Sequence, residues 1–581
     1  ALLSACLVLP TVRAVAQGAP PGMPSSQPAP IPSERARVLP VLGRGGMVSS
    51  QEAHATRVGV EILRRGGNAV DAAIATNFAL AVTLPRAGNL GGGGFMLIHR
   101  AAVQGQPAET IALDYRETAP AKATRDMFLR PDGTPDPAKS RDTGLSVGVP
   151  GTPAGMELAL ARWGSGRFTL ADLVAPAERL AREGFEIDHE LARSLATSAR
   201  LRRHEASRAI FRKDGGPLEV GDRLVQIDLA QTLAAIARDG ARGFHEGPIA
   251  ESIAAAVRAA GGVMEASDLA SYRPIVREPV RGTYRGYDVV TMPPPSSGGV
   301  HLIQILNILE GFDLAKAGAG SAAAYHLMAE AMKPAFADRA AWLGDPDRVK
   351  VPVSGLISKA YAQMLRREID PARARRPEQV LAGNPLPFES DQTTHFSVVD
   401  RDGNAVANTT TLNFSYGLGL VAEGTGVILN NEMDDFSAKA GALNAYGLMG
   451  GDTNAVAAGA RPLSSMTPTM LFRDGRLALV TGSPGGSRIL TTVLQIVVGV
   501  IDFGVNIAEA VAAPRIHHQL HPDVLLAETG LSPDTIDLLK ARGHDVVIGS
   551  TSGSANSVAV TPDGLAGSAD TRQRGTAAEG E

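Results

Sequence analysis

The residues best placed to do chemistry lie where a polar loop gives way to an apolar strand, in the string Asp391-Gln392-Thr393-Thr394-His395-Phe396-Ser397-Val398-Val399-Asp400. A threonine hydroxyl is a poor nucleophile until a base takes its proton, and one solution uses the residue's own α-amino group. That amine titrates at about 7.7–8.0, which suits general-base work near neutral pH. It exists only if the peptide bond ahead of Thr393 has been cut. Read alone, the string is more simply a Thr-rich strand start.

Three other strings invite chemical readings. Gly144-Leu145-Ser146-Val147-Gly148 spells G-x-S-x-G, which needs a strand before it and a helix directly after it. Val149-Pro150-Gly151-Thr152-Pro153 follows instead, which argues against Ser146 as a nucleophile. In His517-His518-Gln519-Leu520-His521 two histidines stand four apart and would face one metal on a helix. Pro514 and Pro522 flank them and the chain has no HExxH, so a structural or solvent-facing role is expected. Gly91 to Gly94 lacks the Lys-Ser/Thr of a P-loop and the spacing of a dinucleotide fingerprint. No metal and no cofactor is expected.

The elements that must position such groups can be read from periodicity. Gln51 to Arg65 predicts a helix stopped by Gly66-Gly67. Asn68 then caps a second helix with Asp71 in its first turn, and Val70, Ile74, Phe78 and Ala81 predict one buried face. Gly88 to Gly94 leads into a strand, Phe95 to Ile98. Residues 150–385 read as mainly helical, notably 169–184, 247–261 and 320–343, with a rigid turn at Met292 to Gly299. Phe396 to Asp400, the turn Arg401-Asp402-Gly403 and Asn404 to Thr411 predict a β-hairpin. Strands are expected at Thr469–Phe472 and Leu477–Thr481, a helix over 489–500, and further strands near 545 and 557. The polar tail from Asp570 to Glu581 is expected to fray. The sum is an α/β chain with antiparallel strands concentrated in its last third.

With 581 residues, 44% hydrophobic and 20% charged, the chain is long enough for two to four compact units of ordinary globular composition. Aromatics are few at 4%, while 64 Gly and 38 Pro point to small-residue packing and many turns. A net charge of −4 leaves no footprint for nucleic acid or an anionic membrane. Ala1 to Leu9 is an apolar run and Ala14-Val15-Ala16 fits a small-x-small cleavage site, so residues 1–16 read as part of a signal peptide. The run is too short to span a bilayer. A periplasmic or secreted location follows. Leu3-Ser4-Ala5-Cys6 leaves open a lipoprotein reading with Cys6 acylated. Cys6 is the only cysteine, so cleavage after Ala16 leaves no thiol for a disulfide or for catalysis. Residues 17–45 read as a Pro/Ser/Gly-rich linker, with structure beginning near Gly46.

Seven long strings then carry a resemblance over nearly all of residues 46–575. They are Ala87-Gly88-Asn89-Leu90-Gly91-Gly92-Gly93-Gly94-Phe95, Leu113-Asp114-Tyr115-Arg116-Glu117, Pro293 to Gly299, Gln392-Thr393-Thr394-His395, Asn430-Asn431-Glu432-Met433-Asp434-Asp435-Phe436, Arg461 to Met466, and Gly482 to Arg488. In this order they resemble the γ-glutamyltransferase family of N-terminal-nucleophile hydrolases. The resemblance implies an αββα sandwich of two stacked antiparallel sheets. It implies a precursor that cuts itself between Gln392 and Thr393 into a large subunit, 46–392, and a small subunit, 393–581, which stay together as a heterodimer. Thr393 then carries a γ-glutamyl ester that passes to water, an amino acid or a dipeptide, with glutathione and related γ-glutamyl compounds as donors.

The resemblance also implies roles. Thr411 orients the nucleophile's amine. Arg116 grips the donor carboxylate with a fork that Lys would not reproduce, and Ser464 and Ser465 add hydroxyls. Glu432, where members carry Gln or Glu, and Asp435 hold the ammonium, helped by Asn413. Gly485 and Gly486 offer backbone N–H groups to the oxyanion. Ala438 to Gly451 matches a lid loop with Tyr446 at its aromatic position, which favours small donors. Two other outcomes stay open: an acylase for glutaryl β-lactams, and a non-catalytic periplasmic binder. Asp435 and Arg116 argue against the first, and intact Thr393, Thr411 and Gly485-Gly486 against the second.

Overall fold

The structure, a computed structural model, describes residues 38–384, 395–442, 444, 447–549 and 553–581. Among them, two seven-stranded sheets form the centre. Their strands are β1 (Val41–Gly43), β2 (Gly46–Ser50), β3 (Gly93–Arg100), β4 (Glu109–Asp114), β5 (Ile275–Arg277), β6 (Val280–Tyr284), β7 (Tyr287–Thr291), β8 (Phe396–Asp400), β9 (Ala405–Thr411), β10 (Thr469–Arg473), β11 (Arg476–Thr481), β12 (Asn556–Thr561), β13 (Gly564–Ala569) and β14 (Ala577–Gly580). The first sheet runs β14-β2-β8-β9-β3-β4-β5 and the second β1-β13-β12-β11-β10-β7-β6, every pairing antiparallel.

Alternation along the strands builds the layers, because successive side chains point to opposite faces. Phe95, Leu97 and Ala407 of the first sheet meet Val290, Met470 and Val480 of the second in one apolar layer between them. Their neighbours Met96, Ile98 and Val406 face outward, under helices that include α1 (Ala53–Arg64), α2 (Ala69–Thr83), α3 (Leu170–Glu183) and α4 (Ile227–Asp239). On the other side Val289, Leu471 and Leu479 pack beneath α5 (Ser297–Leu309), α6 (Ala322–Trp342) and α7 (Ile489–Ile501). The result is the expected αββα sandwich.

Local signals held where they were strong. Asn68 caps α2 in a capping box with Asp71. The hairpin forms with Phe396 opposite Asn408, and Asp400 closes its turn by accepting from the N–H groups of Asp402 and Asn404. The other Asp400 oxygen accepts from Ala69 N at 2.9 Å, tying the turn to the start of α2.

Three expectations need correction. Helix α2 is buried along its whole length, not on one face, because it lies between the first sheet and the outer helices. Strands are densest in the last third, as expected, with β1 to β7 supplying the other half of the two sheets. The stretch read as linker ends in a strand, β1, which pairs with β13. The tail does not fray. Its β14 pairs with β2, and the Glu581 carbonyl accepts from the N–H groups of Arg44 and Gly45 at 2.7 and 2.8 Å. A polar edge strand needs only backbone partners, which hydropathy does not register.

Candidate active site

Arg116 lies two residues past the end of β4, and its backbone is fixed on both sides. Its N–H donates to Asp114 Oδ1 at 3.0 Å and its carbonyl accepts from the Tyr272 hydroxyl at 2.7 Å. The guanidinium is wholly buried. It donates from Nη1 to Glu432 Oε1 at 2.6 Å and from Nη2 to Asp435 Oδ2 at 2.7 Å, and those side chains are 2% and 4% exposed. Its Nε donates to the Pro462 carbonyl at 3.3 Å, two residues ahead of Ser464. Glu117 lies 3.8 Å from Nη1. Glu432 and Asp435 begin and end one short turn of 3₁₀-helix, which sets both carboxylates on the same guanidinium.

One cation therefore faces three buried carboxylates. Burial disfavours the Arg116 charge, but Glu432, Glu117 and Asp435 outweigh that and hold the guanidinium above its ordinary value. Burial pushes Glu432 up to about 8, although Arg116 and the Thr411 hydroxyl pull the other way. Burial likewise pushes Glu117 up to about 7, against the pull of Arg116. A single positive charge cannot neutralise three acids, so the cluster retains a proton near neutral pH and titrates as a group.

Ser464 and Ser465 are fully buried. Ser464 is locked by its backbone to the proline-rich turn: its N–H donates to Pro295 O at 3.1 Å, and its carbonyl accepts from Ser297 N at 3.1 Å. Among the described residues neither serine hydroxyl has a protein partner. Two orphaned hydroxyls are uncommon in a buried setting and favour a ligand that accepts from them.

Thr411 ends β9 opposite Gly93, and its hydroxyl accepts from Asn413 N at 2.8 Å. Asn413 adopts a left-handed φ of 69° and donates from Nδ2 to Asn431 O at 2.9 Å, one residue before Glu432. Gly485 and Gly486 stand on a separate loop, between β11 and α7. Their φ values of 134° and 61° suit glycine, and their N–H groups take no part in the backbone hydrogen bonding among the described residues. Gln392, Thr393 and Tyr446 lie outside the described residues. Just past Thr393, His395 is anchored at the start of β8. One ring nitrogen is paired with Thr409 Oγ1 at 3.1 Å and the other with Ser397 Oγ at 2.8 Å. Its carbonyl accepts from Asn556 Nδ2 at 3.2 Å. Burial drops its imidazole to about 3, so it is neutral and positions the strand.

Sequence reasoning left three residues unassigned. Glu117 joins the charge cluster. Asn89 donates from Nδ2 to Thr411 O at 2.8 Å and accepts from Gly92 N at 3.0 Å, fixing the end of β9. Asn430 accepts from the N–H groups of Glu432 at 3.0 Å and Gly148 at 2.9 Å, fixing the acidic turn. All three fall inside the matched strings, which was the available signal. Leu448 and Met449 line a cavity that reaches Asp435, Arg339 and Asn454.

The rival motifs resolve into structure. Ser146 is buried in a single 3₁₀ turn and donates to Thr143 O at 2.6 Å. His517 lies in a two-residue strand rather than on a helix, with ring nitrogens on Thr491 Oγ1 at 2.9 Å and Gln519 Oε1 at 2.9 Å. Among the described residues no group of three or more His, Cys, Asp or Glu side chains is arranged to hold a metal ion.

A buried cation flanked by carboxylates can pair with a group that carries both an ammonium and a carboxylate. Comparison with known proteins shows the family. The sequence profile described as gamma-glutamyltranspeptidase matches residues 55–580. The glutathione hydrolase proenzyme of Escherichia coli (strain K12) is 55% identical over 536 residues, covering 92% of this chain and 91% of that one. Among solved structures, the cephalosporin acylase from Bacillus halodurans aligns with a TM-score of 0.81 at 28% identity, over 96% of this chain and 99% of that one. The gamma-glutamyltranspeptidase of Helicobacter pylori aligns with a TM-score of 0.55 at 44% identity, over 61% of this chain and 97% of that one. The chain belongs to the gamma-glutamyltranspeptidase family.

Proposed function

We propose that this protein is a self-cleaving γ-glutamyltransferase and glutathione hydrolase, exported by its apolar leader to the periplasm or beyond. The observation that carries the reading is the buried cluster of Arg116, Glu432 and Asp435, whose Arg116 Nε binds the Pro462 carbonyl two residues ahead of Ser464, together with the buried Ser464 and Ser465 hydroxyls, which have no partner among the described residues. A γ-glutamyl head presents an α-carboxylate to Arg116 and the two serines, and an α-ammonium to Asp435 and Glu432, with Asn413 assisting. Thr393 Oγ attacks the γ-carbonyl while its own α-amine takes the proton, and Thr411 orients that amine. Gly485 and Gly486 N–H groups receive the oxyanion, a contribution of about 2.7–4 kcal/mol for each donor. The amide C–N bond breaks, the amine leaves with the proton, and water or an acceptor amine releases the glutamyl group. Tyr446 on the lid-like loop favours small donors.

Cleavage between Gln392 and Thr393 supplies the α-amine. The proposed large (46–392) and small (393–581) subunits would remain together, since β8 and β9 lie hydrogen-bonded between β2 and β3. A denaturing gel with N-terminal sequencing tests this: two bands are expected, the smaller starting at Thr393, with hydrolysis of a γ-glutamyl anilide. Thr393→Ala is expected to give one uncut, inactive band. A cut and active Thr393→Ala protein would remove Thr393 from its role. The likeness to a cephalosporin acylase favours a second reading, an acylase for glutaryl amides. Glutaryl lacks the ammonium, so faster turnover of a glutaryl than of a γ-glutamyl anilide would establish it.

A further inference from the structure

Along each strand of the two central sheets every second side chain faces the layer between them, and that layer is apolar at its centre. At one end the pattern breaks. His99 of β3 follows Leu97 on the inner face and stands opposite Thr110 of β4, which precedes Ala112 on that face. In the second sheet a Cβ on Gly282 would meet the Ile303 side chain of α5 at 2.5 Å. Gly282 therefore faces the helices, and its neighbours Arg281 and Thr283 on β6 face inward. Asp288 of β7 lies opposite Thr283, and Val290, opposite Arg281, belongs to the inner apolar layer. Five polar side chains from four strands thus hold positions that alternation gives to apolar ones. A local break of pattern of this kind marks functional sites.

These side chains line a cavity of about 500 Å³, a volume usual for small-molecule sites. Val290 and Phe472 give it a buried apolar wall. His99 packs on Phe472 with ring centres 4.8 Å apart, and its Nδ1 is paired with Thr110 Oγ1 at 2.8 Å. Burial and the Arg281 charge drop the His99 imidazole to about 4, so it is neutral. One cation and one anion remain. Arg281 is steadied by a bond from Nη2 to Thr110 O at 3.2 Å. Among the described residues neither Arg281 nor Asp288 forms an ion pair, although both are exposed at the mouth of the cavity. They occupy diagonal positions on paired strands, about 7–8 Å apart, a gap that takes one carboxylate and one ammonium. The cavity is separate from the donor site. His99 lies six positions along β3 from Gly93, the partner of Thr411, which is about 20 Å of strand.

We propose that this inter-sheet cavity binds an α-amino acid with an apolar side chain, its carboxylate on Arg281, its ammonium on Asp288 and its side chain against Phe472 and Val290. One fixed charge of each sign beside an apolar wall complements a zwitterion. A simple anion meets Asp288 as a like charge, and a simple cation meets Arg281 in the same way, so both are disfavoured. The neutral His99 adds no second cation to tip that balance. The site stands apart from the reaction proposed at Thr393 and does not depend on it.

The test is equilibrium dialysis of radiolabelled L-phenylalanine against the full-length protein. Saturable binding is expected, weakened about tenfold or more by Arg281→Gln and by Asp288→Asn, since each removes one charge-assisted contact. Phenylpropionate, which lacks the ammonium, and phenethylamine, which lacks the carboxylate, are expected to compete about tenfold more weakly than the amino acid. Binding is expected to persist in the Ser464→Ala, Ser465→Ala double variant, which alters only the donor site. Turnover of the γ-glutamyl anilide by Arg281→Gln and Asp288→Asn is expected to stay at the wild-type rate, which shows that both variants fold. Absence of saturable binding below about 10 mM would overturn the site, as would binding that both variants leave intact. Binding lost in the double serine variant would place the amino acid in the donor site and overturn the proposal. Equal competition by phenylpropionate would overturn the zwitterion assignment.

Discussion

Arg116 Nη1 lies 2.6 Å from Glu432 Oε1, with neither side chain more than 2% exposed, and the two residues come from opposite sides of the proposed cleavage junction. A charge contact of this kind is worth far more than a surface pair, because leaving either partner alone buries an uncompensated ion. It also makes Arg116 a link between the two expected subunits as well as a candidate for the donor carboxylate.

Replacing Arg116 by Lys keeps the charge and loses the fork. One ammonium cannot reproduce the paired contacts to Glu432 and Asp435 together with the third to Pro462. The donor KM is expected to rise by about tenfold or more, read from anilide kinetics. Arg116→Met, which strands three carboxylates, is expected to cost roughly 3–5 kcal/mol of stability in denaturant titration. An unchanged KM in the Lys variant would take Arg116 out of the donor site.

The serine pair separates stability from function. Among the described residues the Ser464 and Ser465 hydroxyls have no protein partner, so removing them breaks no bond there. The Ser464→Ala, Ser465→Ala double variant is expected to melt at or above the wild-type temperature, since an orphaned buried polar group costs about 1–3 kcal/mol. Its donor KM is expected to rise at the same time. A lower melting temperature with unchanged KM would make the pair structural.

Glu432 gives a pH signature. Burial raises it from 4.5 to about 8, so between those values the folded protein holds a proton that the unfolded chain releases. Its contribution to stability is complete below pH 4.5 and is lost as pH rises through 8. Glu432→Gln, which imitates the protonated form, is expected to flatten the fall in melting temperature over that window. Calorimetry at half-unit pH intervals checks this, and parallel curves for variant and wild type would exclude Glu432 as the titrating group.

The C-terminal strand is expected to matter more than a polar tail would. Deleting residues 577–581 removes β14 and uncovers β2, together with the Glu581 carbonyl that binds Arg44 and Gly45. A drop in melting temperature of several degrees is expected, on the order of 4 °C for each 1–2 kcal/mol lost. An unaltered melt would show that the pairing adds nothing.

Much of this molecule was written in local chemistry. Asn68 and Asp71 announced a helix start because a capping side chain acts within three residues, and the Asp400 to Asn404 turn announced a hairpin for the same reason. The matched strings named Arg116, Glu432, Asp435, Ser464 and Ser465 as one site. Sequence could not say that Arg116 and the two acids bind one another, nor that Glu117 joins them. Arg116 and Glu117 lie more than 300 positions from the two acids, and only tertiary packing brings them together. The burial of α2 on every side and the pairing of the polar tail with β2 were likewise settled by tertiary structure. Each depends on what a residue meets from a distant part of the chain, and hydrophobic period and turn chemistry report only on neighbours.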